Sequence, residues 1–310
     1  MPALITHHIF GEDILSELPV GLVSGEEELI AFLLGNQGPD PLFARFSTLP
    51  SRAAICHELA HRIQTGRITR ALLALREGVG RLPRPDERVG RAFALGLVGH
   101  YALDRAAHPF IIAQQRALCA AEPSLGGLER EVHAVIESDV DAWILWEKRH
   151  ATIEERPAAS NLMRTERTER VAGALLSQVA LGVFGTAIDA REYAAAVRDY
   201  EFVYHMIEPV GTLRARATAR AERLLRGTSL AIASAHYVRR SDECPAANLE
   251  RRAWAHPFTG EVRTDSFADL FDEARLVYPT IAEAFVRGDE ARLRELVDGL
   301  DFAGRPAADE

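Results

Sequence analysis

Along most of this 310-residue chain, apolar residues recur every three or four positions, and the alternating pattern of a half-buried strand is nearly absent. The run LIAFLL at 29–34 follows Gly25-Glu-Glu-Glu and stops at Gly35-Asn36, and Ser24 with Glu27 reads as its capping box. Pro50-Ser51 opens a helix ending near Gly66, and a second begins at Arg67. Asp86, after Pro83 and Pro85, is a suitable N-cap for a long helix reaching about His108, where Pro109 predicts a break or kink. Gly126-Gly127 opens another helix running through Trp146, and 168–185, 190–207, 210–238, 265–287 and 289–299 carry the same period. Loops are expected at 36–50, 80–86, 119–126, 149–166 and 241–264, and nothing repeats at a fixed period. The expected fold is all-α, a multi-helix bundle. A helical domain over 1–240 would carry a helical appendage, 241–310, packed on it.

Composition changes this picture little. Hydrophobic residues at 47% and charged ones at 26% exclude disordered and collagen-like classes. A net charge of −9 argues against nucleic acid as a partner. Lys148 is the only lysine beside many arginines, which a coding bias explains more simply than phosphate recognition. Cys56, Cys119 and Cys244 are far apart and form neither a disulfide framework nor a CxxC pair. The start, MPALITHHIFGED, has no basic region, long apolar run or cleavage site, so no leader is expected. The uncharged stretch 171–188 holds Ser177, Gln178, Thr186 and three glycines, which suits a buried helix better than a spanning one. A soluble, cytoplasmic protein is the expectation.

The histidines carry the chemistry, and seven of the eleven precede residue 134. His100, Asp104 and His108 are spaced four apart, which puts all three on one helical face, and imidazole with carboxylate is a donor set that zinc accepts. His133 and Glu137 repeat the spacing, with Asp141 one turn further on. Thr6-His7-His8 and Asp40, the latter held between Pro39 and Pro41 in a turn-rich loop, add candidates. A separate signal is His57-Glu58-Leu-Ala-His61, which matches the HExxH pattern of zinc peptidases; the extended pattern fails at Gln64 and Arg67.

The ordered segments MPALITHHIFG, GNQGPDPLF, HYALDRAAHPF and HAVIESD, spanning about residues 1–141, resemble the zinc-dependent phospholipase C family and the nucleases that share its trinuclear cluster. Residues 253–274, AWAHPFTGEVRTDSFADLFDEA, are similar to the tail of a cytoplasmic-looking subgroup. The resemblance implies that Asp40, His61, His100 and Asp104 surround one zinc, and that Asp104 bridges to a second held by His7. His108, His133 and Glu137 would hold a third. His57 stays open as an alternative to His61, and His7 aligns better than His8. Secreted relatives complete the second site with an N-terminal tryptophan. Met-Pro stands at the start here, so two or three ions are expected.

The implied activity is hydrolysis of a phosphodiester, a phospholipid or small phosphoester, with peripheral membrane contact and with zinc activating the water. Asp40 would serve as ligand and general base. Asp139, Asp141 and Glu58 would orient the histidines, and Arg105 or Arg45 would meet a phosphate. Two rivals stay in play: an HExxH peptidase using His57, Glu58 and His61, and a non-catalytic binding protein that zinc staples together.

Overall fold

Residues 4–307 are described by a computed structural model, and among them lie twelve α-helices and one two-residue hairpin. In chain order the helices are α1 (Leu4–Ile14), α2 (Glu26–Gly35), α3 (Pro50–Thr65), α4 (Ile68–Arg81), α5 (Arg84–Ala121) and α6 (Glu129–Arg149). Then follow α7 (Glu166–Phe184), α8 (Arg191–Ile207), α9 (Leu213–Arg226), α10 (Leu230–Ala233), α11 (Phe267–Arg287) and α12 (Glu290–Val297). The hairpin pairs β1 (Trp254–Ala255) antiparallel with β2 (Val262–Arg263). The all-α expectation holds.

The 38-residue α5 is the axis of the bundle, touching α1, α2, α4, α6, α7 and α11. It continues through Pro109, so the helix does not break there. Proline removes the hydrogen bond to the carbonyl of Arg105, at a cost of about 3 kcal/mol. Burial of Phe110 and Ile111 just beyond it, at about 1.5–3 kcal/mol each, offsets that cost. Gly304 lies so close that an added Cβ would fall 2.8 Å from the Arg105 carbonyl oxygen, so the C-terminal segment covers the interrupted turn.

Two glycines let α2 and α5 cross backbone to backbone. A Cβ on Gly35 would sit 2.1 Å from the Phe93 carbonyl oxygen, and one on Gly96 2.0 Å from that of Phe32. This close approach sets the carbonyl of Asn36, just past α2, against a histidine of α5.

Helix α1 was not anticipated. Leu4, Ile5, Ile9, Phe10 and Ile14 point to several sides, and Thr6, His7 and His8 are buried among them, so a helix buried nearly all round has no amphipathic period to detect. Its first N–H groups are capped from outside: the carboxylate of Asp141 on α6 accepts from the N–H groups of Ile5 (2.9 Å) and Thr6 (2.8 Å) and from the Thr6 hydroxyl.

Other boundaries moved. The span 210–238 divides into α9 and α10 because Gly227 takes the left-handed conformation (φ 70°) that ends a helix. Ser24 does not cap α2; Gly25 holds that position, and the Ser24 N–H bonds to Glu28. Asp86 lies inside α5, gripped by Arg167 (2.8 Å) and Arg170 (2.7 Å). Residues after 241 share the one apolar core: Phe271 of α11 meets Phe10 edge-on at 5.1 Å, and the Tyr278 hydroxyl donates to the Leu95 carbonyl.

Candidate metal centre

Six of the expected donors converge in two adjacent triads, His7–His100–Asp104 and His108–His133–Glu137, and within each triad one donor atom per residue lies within 4.8 Å of the others. Three helices supply them: α1 gives His7, α5 gives His100, Asp104 and His108, and α6 gives His133 and Glu137. Asp104 stands at the centre. Its Oδ1 lies 3.1 Å from His7 Nε2 and 3.5 Å from His108 Nδ1, and its Oδ2 lies 3.1 Å from His100 Nε2. Glu137 Oε1 sits 3.3 Å from His108 Nε2 and 3.2 Å from His133 Nε2. The rings of His7 and His100 stack at 3.9 Å.

Five of these six side chains carry a buried atom with no hydrogen-bond partner: His7 Nδ1, His100 Nε2, Asp104 Oδ2, His108 Nδ1 and Glu137 Oε2. Orphaned polar atoms are costly in a core, and a cation set among His100 Nε2, Asp104 Oδ2 and His108 Nδ1 would give these three a partner. A cavity of about 20 Å³ opens between the triads, lined by Thr6, His7, Asp104, His108, Glu137 and Phe267. That is room for a water or an ion.

Electrostatics favour the same occupant. Burial pushes the carboxyl of Asp104 up, but His108, His100 and His7 outweigh it and hold it well below the usual carboxylate range. Glu137 is held well below as well, with His133 and His108 contributing to the positive charge around it. Burial together with the charge of His100 lowers His7, keeping its imidazole neutral. His108 is the reverse case: burial alone would lower it, yet Asp104 and Glu137 push it up to about 9. The same carboxylates raise His100, so Asp104 and Glu137 draw positive charge to the cluster; protons on His100 and His108 meet that demand, and a divalent ion would meet it by displacing them.

Two of the rings are oriented through their far nitrogens. The Nδ1–H of His100 donates to the Asn36 carbonyl at 2.9 Å, which leaves Nε2 facing Asp104. His133 Nδ1 bonds the Gln115 side chain, also at 2.9 Å. These partners replace the expected ones. Asp139 pairs with Arg239, Asp141 holds α1, and Glu58 is exposed.

The remaining expected residues divide. Asp40 is buried at the edge of the first triad, its Oδ1 3.9 Å from His100 Nε2 and accepting from Gln64 Nε2 at 2.8 Å. His61 is exposed and does not join the cluster. Gln64, three residues on, is half-buried and reaches Asp40, while His61 points away from it. His57 Nε2 bonds the Arg45 carbonyl at 2.9 Å, and among the described residues neither His57 nor His61 belongs to a group of metal-holding donors. His8 turns away to Glu12 at 3.4 Å, which leaves His7 as the residue facing the centre. Arg45 is not free for a phosphate, being buried between Glu192 and Asp199, and Arg105 commits one donor to the Leu296 carbonyl.

Behind the second triad lies a charged network that the sequence did not signal. His236, fully buried, contacts Asp141 through Nε2 (3.0 Å) and Glu208 through Nδ1. Burial alone would lower this imidazole, but the two carboxylates push it up to about 10. No family model, curated protein or solved structure matches the chain.

Proposed function

We propose that this chain is a zinc-dependent phosphodiester hydrolase of phospholipase C type, binding two ions and acting on a phospholipid or small phosphoester. The observation that carries the reading is the pair of triads joined through Asp104, with buried donor atoms left unbonded on five of the six residues. Nitrogen and carboxylate donors without thiolate fit zinc. His7, His100 and Asp104 would hold one ion, and His108, His133 and Glu137 the other. Supplied there, zinc lowers the pKa of a bound water and neutralises charge developing on phosphoryl oxygens. Asp40 would take up a proton, its carboxylate accepting from the amide of Gln64. The Asn36 carbonyl and Gln115 keep His100 and His133 in the tautomers that present a lone pair inward. The order of histidine and carboxylate segments along residues 1–141 supports the phosphodiester class.

Metal analysis of the purified chain, paired with turnover of a chromogenic phosphodiester, tests the reading. Two zincs per chain with turnover that Asp104→Asn abolishes is the expected result; less than one zinc and no turnover refutes it. One rival has an observation of its own. The small cavity between the triads suits closed coordination, in which zinc is a staple alone. Under that rival, chelation unfolds the chain and the zinc-loaded form hydrolyses nothing.

A further inference from the structure

We propose that α9 is a docking surface for an anionic lipid bilayer. Its segment, LRARATARAERLLR, carries five arginines against one glutamate, a net charge of +4 in a chain whose total is −9. Of its described side chains only Ala215 is buried, so the inward face is a single small residue flanked by half-buried ones. At about 100° per residue, Leu213, Ala217 and Leu224 fall in one stripe opposite Ala215. Leu213, Leu224 and Leu225 are 84%, 77% and 85% exposed. A surface helix ordinarily turns its leucines inward; this one turns them out.

Arg216, Arg220 and Arg223, spaced i, i+4 and i+7, form a second stripe alongside the first, and all three are exposed. Among the described residues no carboxylate lies at ion-pair distance from any of them, in a molecule rich in surface carboxylates. An outward apolar stripe edged with unpaired cations is what a helix lying in a bilayer interface requires. The leucines enter the acyl boundary and the guanidiniums meet head-group phosphates. Nucleic acid would use the arginines and leave the leucines in water, so the paired stripes favour lipid. The contact is superficial, because no described helix is long and apolar enough to cross a membrane. This inference stands apart from the metal-centre reading, since binding is scored without turnover.

The test is co-sedimentation of the full chain with vesicles of phosphatidylcholine alone and of an equal mixture of phosphatidylcholine and phosphatidylglycerol. The expected result is binding to the mixed vesicles only, weakening as salt is raised. At about fivefold per arginine, the variant combining Arg216→Gln, Arg220→Gln and Arg223→Gln should lose roughly a hundredfold in partition coefficient. The variant combining Leu213→Asn and Leu224→Asn should also bind less, with an unchanged circular-dichroism melt. The wild-type comparison of the two vesicles stands even if a variant misfolds. Absence of binding to the mixed vesicles overturns the proposal. So does a leucine variant that binds like wild type while the arginine variant loses vesicles and duplex DNA alike, which would mark a general polyanion surface. Self-association abolished by the leucine variant, without vesicle binding, would assign the stripe to a second copy of the chain.

Discussion

Replacing Asp141 with asparagine should weaken both the fold and the metal centre. The carboxylate is fully buried and accepts from four donors: the N–H groups of Ile5 and Thr6, the Thr6 hydroxyl and His236 Nε2. Hydrogen bonds to a charged partner contribute about 1.5–3 kcal/mol each. An amide keeps one oxygen, and its NH₂ turns a donor toward a donor, so at least one N–H of α1 or the imidazolium is stranded. Stranding a buried charge costs about 3–5 kcal/mol. At roughly 2–4 °C per kcal/mol, the melting temperature should fall on the order of 10 °C. Thr6 adjoins His7, so if the two triads hold zinc as proposed, looseness at the start of α1 should also lower its retention. Scanning calorimetry and metal analysis of Asp141→Asn read the two effects. A melting temperature within about 2 °C of wild type would refute the reasoning, because it would leave no room for the loss of one such bond. The same network predicts a pH dependence. The folded His236 value, about 10, lies above the 6.5 of the free side chain. Its imidazolium therefore contributes fully below about pH 6.5, and the contribution is withdrawn as pH rises through 10. Wild type should lose stability across that window relative to His236→Gln.

Two further outcomes are expected. Gly38 has φ +54°, and a Cβ there would lie 2.5 Å from Cδ2 of His100, so Gly38→Ala should displace that ring and weaken zinc affinity about 10–100-fold in chelator competition; wild-type affinity would exclude a ligand role for His100. Arg45→Met leaves the buried carboxylate of Asp199 without its cation and Glu192 with only Arg52 at 3.8 Å, and urea unfolding should show a loss of about 3–5 kcal/mol; an unchanged midpoint would show that solvent reaches the pair.

What the sequence determined by itself is what helical periodicity encodes. The i, i+4 spacing of His100, Asp104 and His108, and of His133 and Glu137, places donors on one face through backbone geometry alone, so both sets were legible before any fold was known. Most helices were legible for the same reason. Tertiary structure decided the rest. Helix α1 has no local cap because its cap, Asp141, lies more than 130 residues away. Whether His61 or Gln64 faces Asp40 depends on how α3 is rotated against the bundle. That rotation is set by which residues pack, and a pattern of ligand spacings does not contain it. Nor could sequence place the Asn36 carbonyl at His100, since that bond exists only because Gly35 and Gly96 let two helices touch. The two triads become one centre through Asp104, because packing brings α1, α5 and α6 together there.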